Sequence, residues 1–332
     1  MKGLAKKTLG RSGIEVTRVG LGCAPLGGLY GDISEDQAHE VVLRALSLGI
    51  NVIDTAPLYG YGKSEVRIGE AVKGRNRDGF VLASKVGRLL VPKESEGADT
   101  SQDANWGSPS SLRPKFDFSY DAVMRSVEES LKRLQMDRID ILHIHDPDNH
   151  YEQALRGAYP ALDRLRSQGV IRAVSAGMNQ SEMLARFARE GDFDCFLLAG
   201  RYSILEQGAM DELFPLCARK NIGIMLGGTY NSGILASDLS IGAKFNYADA
   251  PPDVLERARG LQAVAARHRV SLKAAASQFA LAHPQVTCII PGTRVPHRVN
   301  ENLKVVDELI PSEFWADLKA ENLIRQDAPV PE

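Results

Sequence analysis

Cysteine is scarce and scattered. The four residues, at 23, 195, 217 and 288, form no C-x-x-C pair and no zinc-ligand spacing, so neither a disulfide framework nor a structural metal centre is supported. Reduced thiols are expected. Long apolar runs are also missing: no stretch approaches the roughly 18 residues a membrane span needs, and Met1-Lys2-Gly3-Leu4-Ala5-Lys6-Lys7 is followed by no apolar leader core. The chain reads as soluble and cytoplasmic. Charge of one sign is lacking too, since 40 basic and 42 acidic residues leave a formal charge of −2, with no basic stripe for nucleic acid and no acidic tail. A small-molecule partner is expected, without nucleic acid or membrane, and the oligomeric state is not legible.

What is present is a repeating pattern. The 332 residues, 44% hydrophobic, suit either two modest domains or one barrel. A turn at Gly10-Arg11-Ser12-Gly13 between Lys7-Thr8-Leu9 and Ile14-Glu15-Val16-Thr17 predicts an N-terminal hairpin, fit for a barrel floor. Eight candidate strands follow: Val19 to Cys23, Asn51 to Asp54, Phe80 to Ser84, Ile139 to His145, Ile171 to Ala176, Cys195 to Ala199, Ile222 to Leu226 and Thr287 to Pro291. Amphipathic segments separate them. In the first, Ser34 and Gln37 resemble a capping box ahead of the stripe Ala38, Val41, Val42, Ala45 and Leu46. Similar stripes are Val123, Val127, Leu131 and Leu134, then Leu155, Tyr159, Leu162 and Leu165. Eight βα units without a composition break predict one α/β domain over 1–332, a (β/α)8 TIM barrel, with an open doubly wound sheet as the alternative.

Segment lengths locate the site. The two long irregular stretches, Val86 to about Phe118 and Gly227 to about Pro252, follow the third and seventh strands, and so belong to the carboxyl-end face where barrel enzymes work. The first carries Trp106, Phe116 and Phe118, which suggests a lid or substrate wall. On the same face Asp54 closes strand two, Tyr59 lies five residues on, Lys85 closes strand three and His145 closes strand four. Singly, each has an ordinary structural explanation; together they form a proton-transfer set. A tyrosine works near neutrality if a cation favours its phenolate, and Lys85 is the candidate cation, held by Asp54. His145 is placed to donate to the oxygen on which charge develops.

Over almost its whole length the sequence resembles the aldo-keto reductase superfamily. The motifs are Asn51-Val-Ile-Asp54-Thr-Ala-Pro-Leu-Tyr59-Gly-Tyr-Gly-Lys-Ser-Glu65, then Val81-Leu-Ala-Ser-Lys85, then Asp137-Arg-Ile-Asp140-Ile-Leu-His-Ile-His145. The resemblance implies a catalytic tetrad of Asp54, Tyr59, Lys85 and His145, with Tyr59 the proton donor in reduction and the base in oxidation. It also implies NAD or NADP as cofactor, and no metal. Ile289-Ile-Pro291-Gly-Thr-Arg294-Val-Pro-His-Arg298-Val-Asn-Glu301-Asn302 is similar to the family's adenosine-phosphate clamp. Thr293, Arg294 and Arg298 then fall to the 2′-phosphate and Glu301 and Asn302 to the adenine, while Gly292 stands where many NADP-specific relatives carry lysine. Gly22, in the first strand, is assigned to the cofactor, Asn179 to the carboxamide, and Thr229, Tyr230, Asn231, Ser232 and Gly233 to the pyrophosphate.

The branch most resembled is that of L-fucose and D-threo-aldose 1-dehydrogenases, with pyridoxal 4-dehydrogenase as a neighbour, through Ser84-Lys85-Val-Gly-Arg88-Leu-Leu, Phe116-Asp-Phe-Ser-Tyr120, His145-Asp-Pro-Asp148 and Ala199-Gly-Arg201-Tyr-Ser. An aldose pocket is expected from Arg88, Asn105, Trp106, Asp146 and Asp148. Two other readings stand beside it. His143, His145, Asp146 and Asp148 form a metal cluster in a barrel hydrolase reading, which leaves Lys85 and Tyr59 unexplained. A non-catalytic, NADP-binding channel subunit is the other.

Overall fold

A hairpin comes first, Lys6–Thr8 paired antiparallel with Glu15–Thr17. The computed structural model describes residues 1–29, 31–107, 110–236, 239, 243–246 and 248–331. Eight parallel strands follow: β1 Leu21–Gly22, β2 Val52–Asp54, β3 Val81–Val86, β4 Ile141–His145, β5 Ala173–Met178, β6 Cys195–Ala199, β7 Gly223–Gly227 and β8 Val286–Ile289. Each pairs with its neighbour in chain order. The ends meet through parallel bridges Val19 to Ile289 and Gly22 to Gly292, with the Gly20 N–H donating to the Ile289 carbonyl at 2.8 Å. The sheet is therefore a closed (β/α)8 barrel, and the open-sheet alternative is set aside.

Strand limits differ from expectation where pairing extends or fails. β3 runs on to Val86 because Lys85 and Val86 pair with His143 and Ile144 of β4. β1 shrinks to two residues, its flanks making only isolated bridges.

Alternation along each strand sorts side chains into two cores. Inward positions Val52, Val81, Ala83, Ile141, Ala173, Leu197, Met225 and Cys288 meet Leu9, Ile14 and Val16 of the hairpin, which plug the barrel floor. Outward positions Ile53, Leu82, Leu142 and Ile144 pack under the helices. Helix Glu35–Ser47 starts where the Ser34 hydroxyl accepts from the Gln37 N–H at 3.2 Å, and buries Ala38, Val41, Val42 and Ala45. Helix Tyr120–Leu134 is capped likewise by Ser119 and buries Val123, Val127 and Leu134. Full burial of such aliphatic side chains stabilises by roughly 1.5–3 kcal/mol each, which holds these helices to the barrel.

The stretch after β3, expected to be irregular, contains an antiparallel ribbon, Arg88–Pro92 with Leu112–Phe116. Its loop is pinned where Trp106 bridges Leu29 and packs with Ala56, Leu58, Tyr61 and Leu90. After β7 the described chain forms a kinked 3-10 segment, Asn231–Ala236. Among the described residues no helix is long and apolar enough to cross a membrane.

Candidate active site

The parity that fills the core also aims the chemistry. Asp54 has the inward parity of Val52, Lys85 that of Val81 and Ala83, and His143 and His145 that of Ile141, so each apolar series ends in polar side chains at the carboxyl mouth. The Lys85 ammonium donates to both Asp54 carboxylate oxygens, at 2.9 and 2.8 Å, and to the Thr55 carbonyl at 2.8 Å. Its three donors are thereby used. Nζ lies 4.8 Å from the centre of the Tyr59 ring, and the His145 ring stands edge-on to Tyr59 with centroids 6.1 Å apart. All four proposed catalytic side chains thus meet at one point.

Tyr59 is set by a backbone crossing. A Cβ on Gly27 would lie 2.5 Å from the Gly60 nitrogen, so the two chains touch as only glycine permits, and Gly60 takes φ +61°. Below it, Thr55 and Ser64 hydroxyls share a hydrogen bond of 2.9 Å, and Ser64 donates to the Cys23 carbonyl at 2.9 Å. The fully buried Glu65 carboxylate accepts from the Ser84 hydroxyl and the Arg133 guanidinium, both at 2.7 Å. Glu65 was read from the sequence as part of a motif with no role; it ties the tyrosine loop to β3.

Burial pushes the Tyr59 phenol well above its usual value, the charges of Asp54 and Asp146 add to this, and Arg88 opposes it. Burial alone would raise the Asp54 carboxyl, yet the Lys85 charge and the His143 imidazole, 3.4 Å away, outweigh it and hold it below the ordinary range. Burial, then the charges of Arg88 and Lys85, drive His145 well below its usual value, so it is neutral. The site presents a protonated phenol, a neutral imidazole and a charged lysine–aspartate pair, a set able to exchange a proton with a substrate oxygen.

The histidine pair does not build the metal cluster of the alternative reading. His143 Nδ1 is 2.7 Å from the Ser175 hydroxyl and its other nitrogen faces Asp54, whereas His145 faces Tyr59 and Asp146, and Asp148 is hydrogen-bonded by Gln180. Among the described residues the one three-member group with ligand atoms close together is Glu35, His39 and Glu70, outside the site.

Beside the tetrad lies a cavity of about 580 Å³ that reaches Asp54 and Tyr59. Every residue assigned above to the dinucleotide lines it: Gly22, Asn179, Thr229, Asn231, Ser232, Gly233, Gly292, Thr293, Arg294, Arg298, Glu301 and Asn302. The lining fits an elongated, phosphate-bearing ligand. The buried Thr229 hydroxyl and Asn231 carbonyl oxygen have no hydrogen-bond partner, while the Asn231 amide donates to the Gly200 carbonyl at 3.1 Å. Tyr230, of the same post-β7 stretch, lines it too, as do Asn246 and Lys273, which were not read from the sequence.

Of the expected substrate residues, three gather at the tetrad. Trp106 lies 5.9 Å from Tyr59 by ring centroids. Arg88 pairs with Asp146 at 2.7 Å and sits over the Phe116 ring, and the same Asp146 oxygen is 3.5 Å from His145 Nε2. Asp146 holds a left-handed φ of +41°, a conformation costly for aspartate that aims its carboxylate back at the site. Asp148 instead engages Gln180, and Asn105 occupies a half-buried 3-10 turn, Asp103–Asn105.

The sequence profile of the Aldo/keto reductase family matches residues 18–322. The chain is 36% identical to a pyridoxal 4-dehydrogenase of Microbacterium luteolum, over 98% of this chain and 99% of that protein. It is 37% identical to a D-threo-aldose 1-dehydrogenase of Pseudomonas sp, over 94% and 96%. Among solved structures, an aldo-keto reductase from Bacillus halodurans in its holo form matches with a TM-score of 0.76 and 26% identity, covering 98% of each chain.

Proposed function

The chain belongs to the Aldo/keto reductase family, a family of oxidoreductases, and from that premise we propose that it oxidises an aldose at C1 to the lactone with NAD or NADP. The observation that carries this reading is the convergence of Tyr59, His145 and the Lys85–Asp54 pair beside a cavity that reaches Asp54 and Tyr59 and is lined by the whole expected dinucleotide set. A bound dinucleotide supplies the acceptor for the hydride leaving C1. In its deprotonated form Tyr59 takes the proton of the C1 hydroxyl, and His145, being neutral, holds that oxygen by a hydrogen bond as its charge changes. Asp54 fixes the Lys85 side chain against the phenol ring by an ion pair. Arg88, Asp146 and Asp148 are the polar groups assigned to the sugar hydroxyls, with Trp106 as the apolar wall and Asn105 at its margin. An aldose of the L-fucose, D-arabinose or galactose type fits that mixture.

Pyridoxal is the second reading, supported by similarity to the Microbacterium enzyme and by the aromatic wall of Trp106 and Phe116. Its cyclic hemiacetal presents the same reacting group. The test is dinucleotide reduction against a panel of aldoses, pyridoxal and simple alcohols, with the product identified. Lactone from one or a few aldoses supports the proposal; pyridoxal oxidised far faster moves the assignment to the second reading. Oxidation of simple alcohols alone rejects both.

A further inference from the structure

Position 292 leaves no room for a side chain. A Cβ there would lie 2.9 Å from both Cγ and Cδ of the Pro25 ring and 3.0 Å from the Gly22 carbonyl oxygen, none of them a flexible chain end. A cation cannot be carried at this point of the cavity unless the Pro25 rim moves. Arg294 is partly committed elsewhere: its guanidinium lies against Gly31, with Nη1 3.4 Å from the Asp32 carbonyl oxygen. Arg298 is exposed on helix Pro296–Lys304.

A different element supplies the cation that faces inward. Lys273 stands in the first turn of helix Leu272–Ala282 and lines the same cavity, between Tyr230 of the post-β7 loop and Glu301 of the last barrel helix. Its Nζ is 5.7 Å from the Tyr230 ring centre and 3.6 Å from a Glu301 oxygen, an ion pair beyond hydrogen-bond range. The side chain is about one-fifth exposed, 22%. The placement is unfavourable by itself. Burial pulls the ammonium below its usual value against the opposing charge of Glu301, the nearby Arg298 charge adds to the lowering, and a cation in a first helical turn opposes the helix dipole. A lysine kept there with only that long ion pair among the described residues, in a cavity that also holds the unpartnered Thr229 hydroxyl, is arranged for an anion that enters the cavity.

We propose that Lys273 is a phosphate ligand of the dinucleotide, its ammonium hydrogen-bonding a phosphate oxygen and supplying from helix Leu272–Ala282 the positive charge that packing denies to position 292. The inference rests on the dinucleotide reading given above. Glu301 holds the empty-handed lysine near the cavity, and a phosphate displaces that weak pair.

Calorimetric titration of the full chain and of Lys273→Met with NAD, NADP, ADP and 2′,5′-ADP tests this, with melting temperatures measured alongside. Lys273→Met is expected to weaken dinucleotide binding about tenfold, the usual scale of one charge-assisted hydrogen bond, and Lys273→Arg to restore most of it. Equal loss for NAD and NADP places the ammonium on the pyrophosphate, and loss confined to NADP and 2′,5′-ADP places it on the 2′-phosphate. Affinities for both dinucleotides within twofold of the parent, in a variant of unchanged melting temperature, overturn the proposal. If the parent binds neither dinucleotide, the functional reading itself fails, and this inference with it.

Discussion

Tyr59 keeps its proton because burial, reinforced by Asp54 and Asp146, makes the phenolate costly. The sign for pH follows directly: a raised phenol is protonated throughout the neutral range, so reduction of a carbonyl is expected to show a plateau in kcat/KM. Oxidation needs the deprotonated form and is expected to rise with pH across the same range. His145, pushed the other way, stays neutral and adds no break near its ordinary value. Paired pH profiles check this, and Tyr59→Phe is expected to abolish turnover in both directions while dinucleotide affinity survives. A pH-independent oxidation rate, or turnover retained by the variant, removes Tyr59 from the proton path. Asp54, Lys85 and His145 were legible as strand-end residues because alternation fixes which face a strand residue takes, and Tyr59 through its motif in the loop that follows the second strand. Lys273 was not legible. It lies in a helix whose own pattern is that of core packing, and only tertiary contact brings it across from Glu301.

At the scale of elements, the loop carrying Tyr59 owes its position to the crossing at Gly27 and Gly60. Gly27→Ala introduces a methyl 2.7 Å from the Tyr59 carbonyl oxygen, which forces the loop to shift. A displacement of the order of 1 Å at a reacting group is expected to lower kcat/KM about a hundredfold. Overpacking of this kind costs about 1–3 kcal/mol of stability, so the fold survives and dinucleotide affinity changes little. Steady-state kinetics beside thermal melts decide it; unaltered kcat/KM means the crossing does not position the tyrosine. Helices and barrel strands were legible from period and caps, as Ser34 and Ala38 to Ala45 illustrate. The ribbon after β3 was not. One of its strands reads Leu112-Arg-Pro-Lys-Phe116, with proline in the middle and no clean alternation, and such a strand is recognisable only once its partner Arg88–Pro92 is beside it.

Across the whole molecule the ring of strands is uneven. β4 and β5 pair over five residue positions, whereas β1 meets β8 through two isolated bridges, Val19 to Ile289 and Gly22 to Gly292. The repeat count of eight was legible in the sequence, but the weakness of this seam was not, because pairing length depends on where neighbouring strands happen to run side by side. The seam also borders the cavity, with Gly22 and Pro25 on one bank and Gly292 and Thr293 on the other. Anything bound there touches the first and the last strand together, as a clasp joins the ends of a bracelet. Ligand at a hundred times its dissociation constant is expected to add about 2.7 kcal/mol to stability. Amide hydrogen exchange shows where that gain is felt: slowing should concentrate at Gly20, Gly22 and Ile289, with little change in β3 to β5. Slowing spread evenly around the ring, or absent at those amides, contradicts the clasp. In an enzyme built this way, emptying the site between turnovers loosens the barrel at the one joint where its two ends meet.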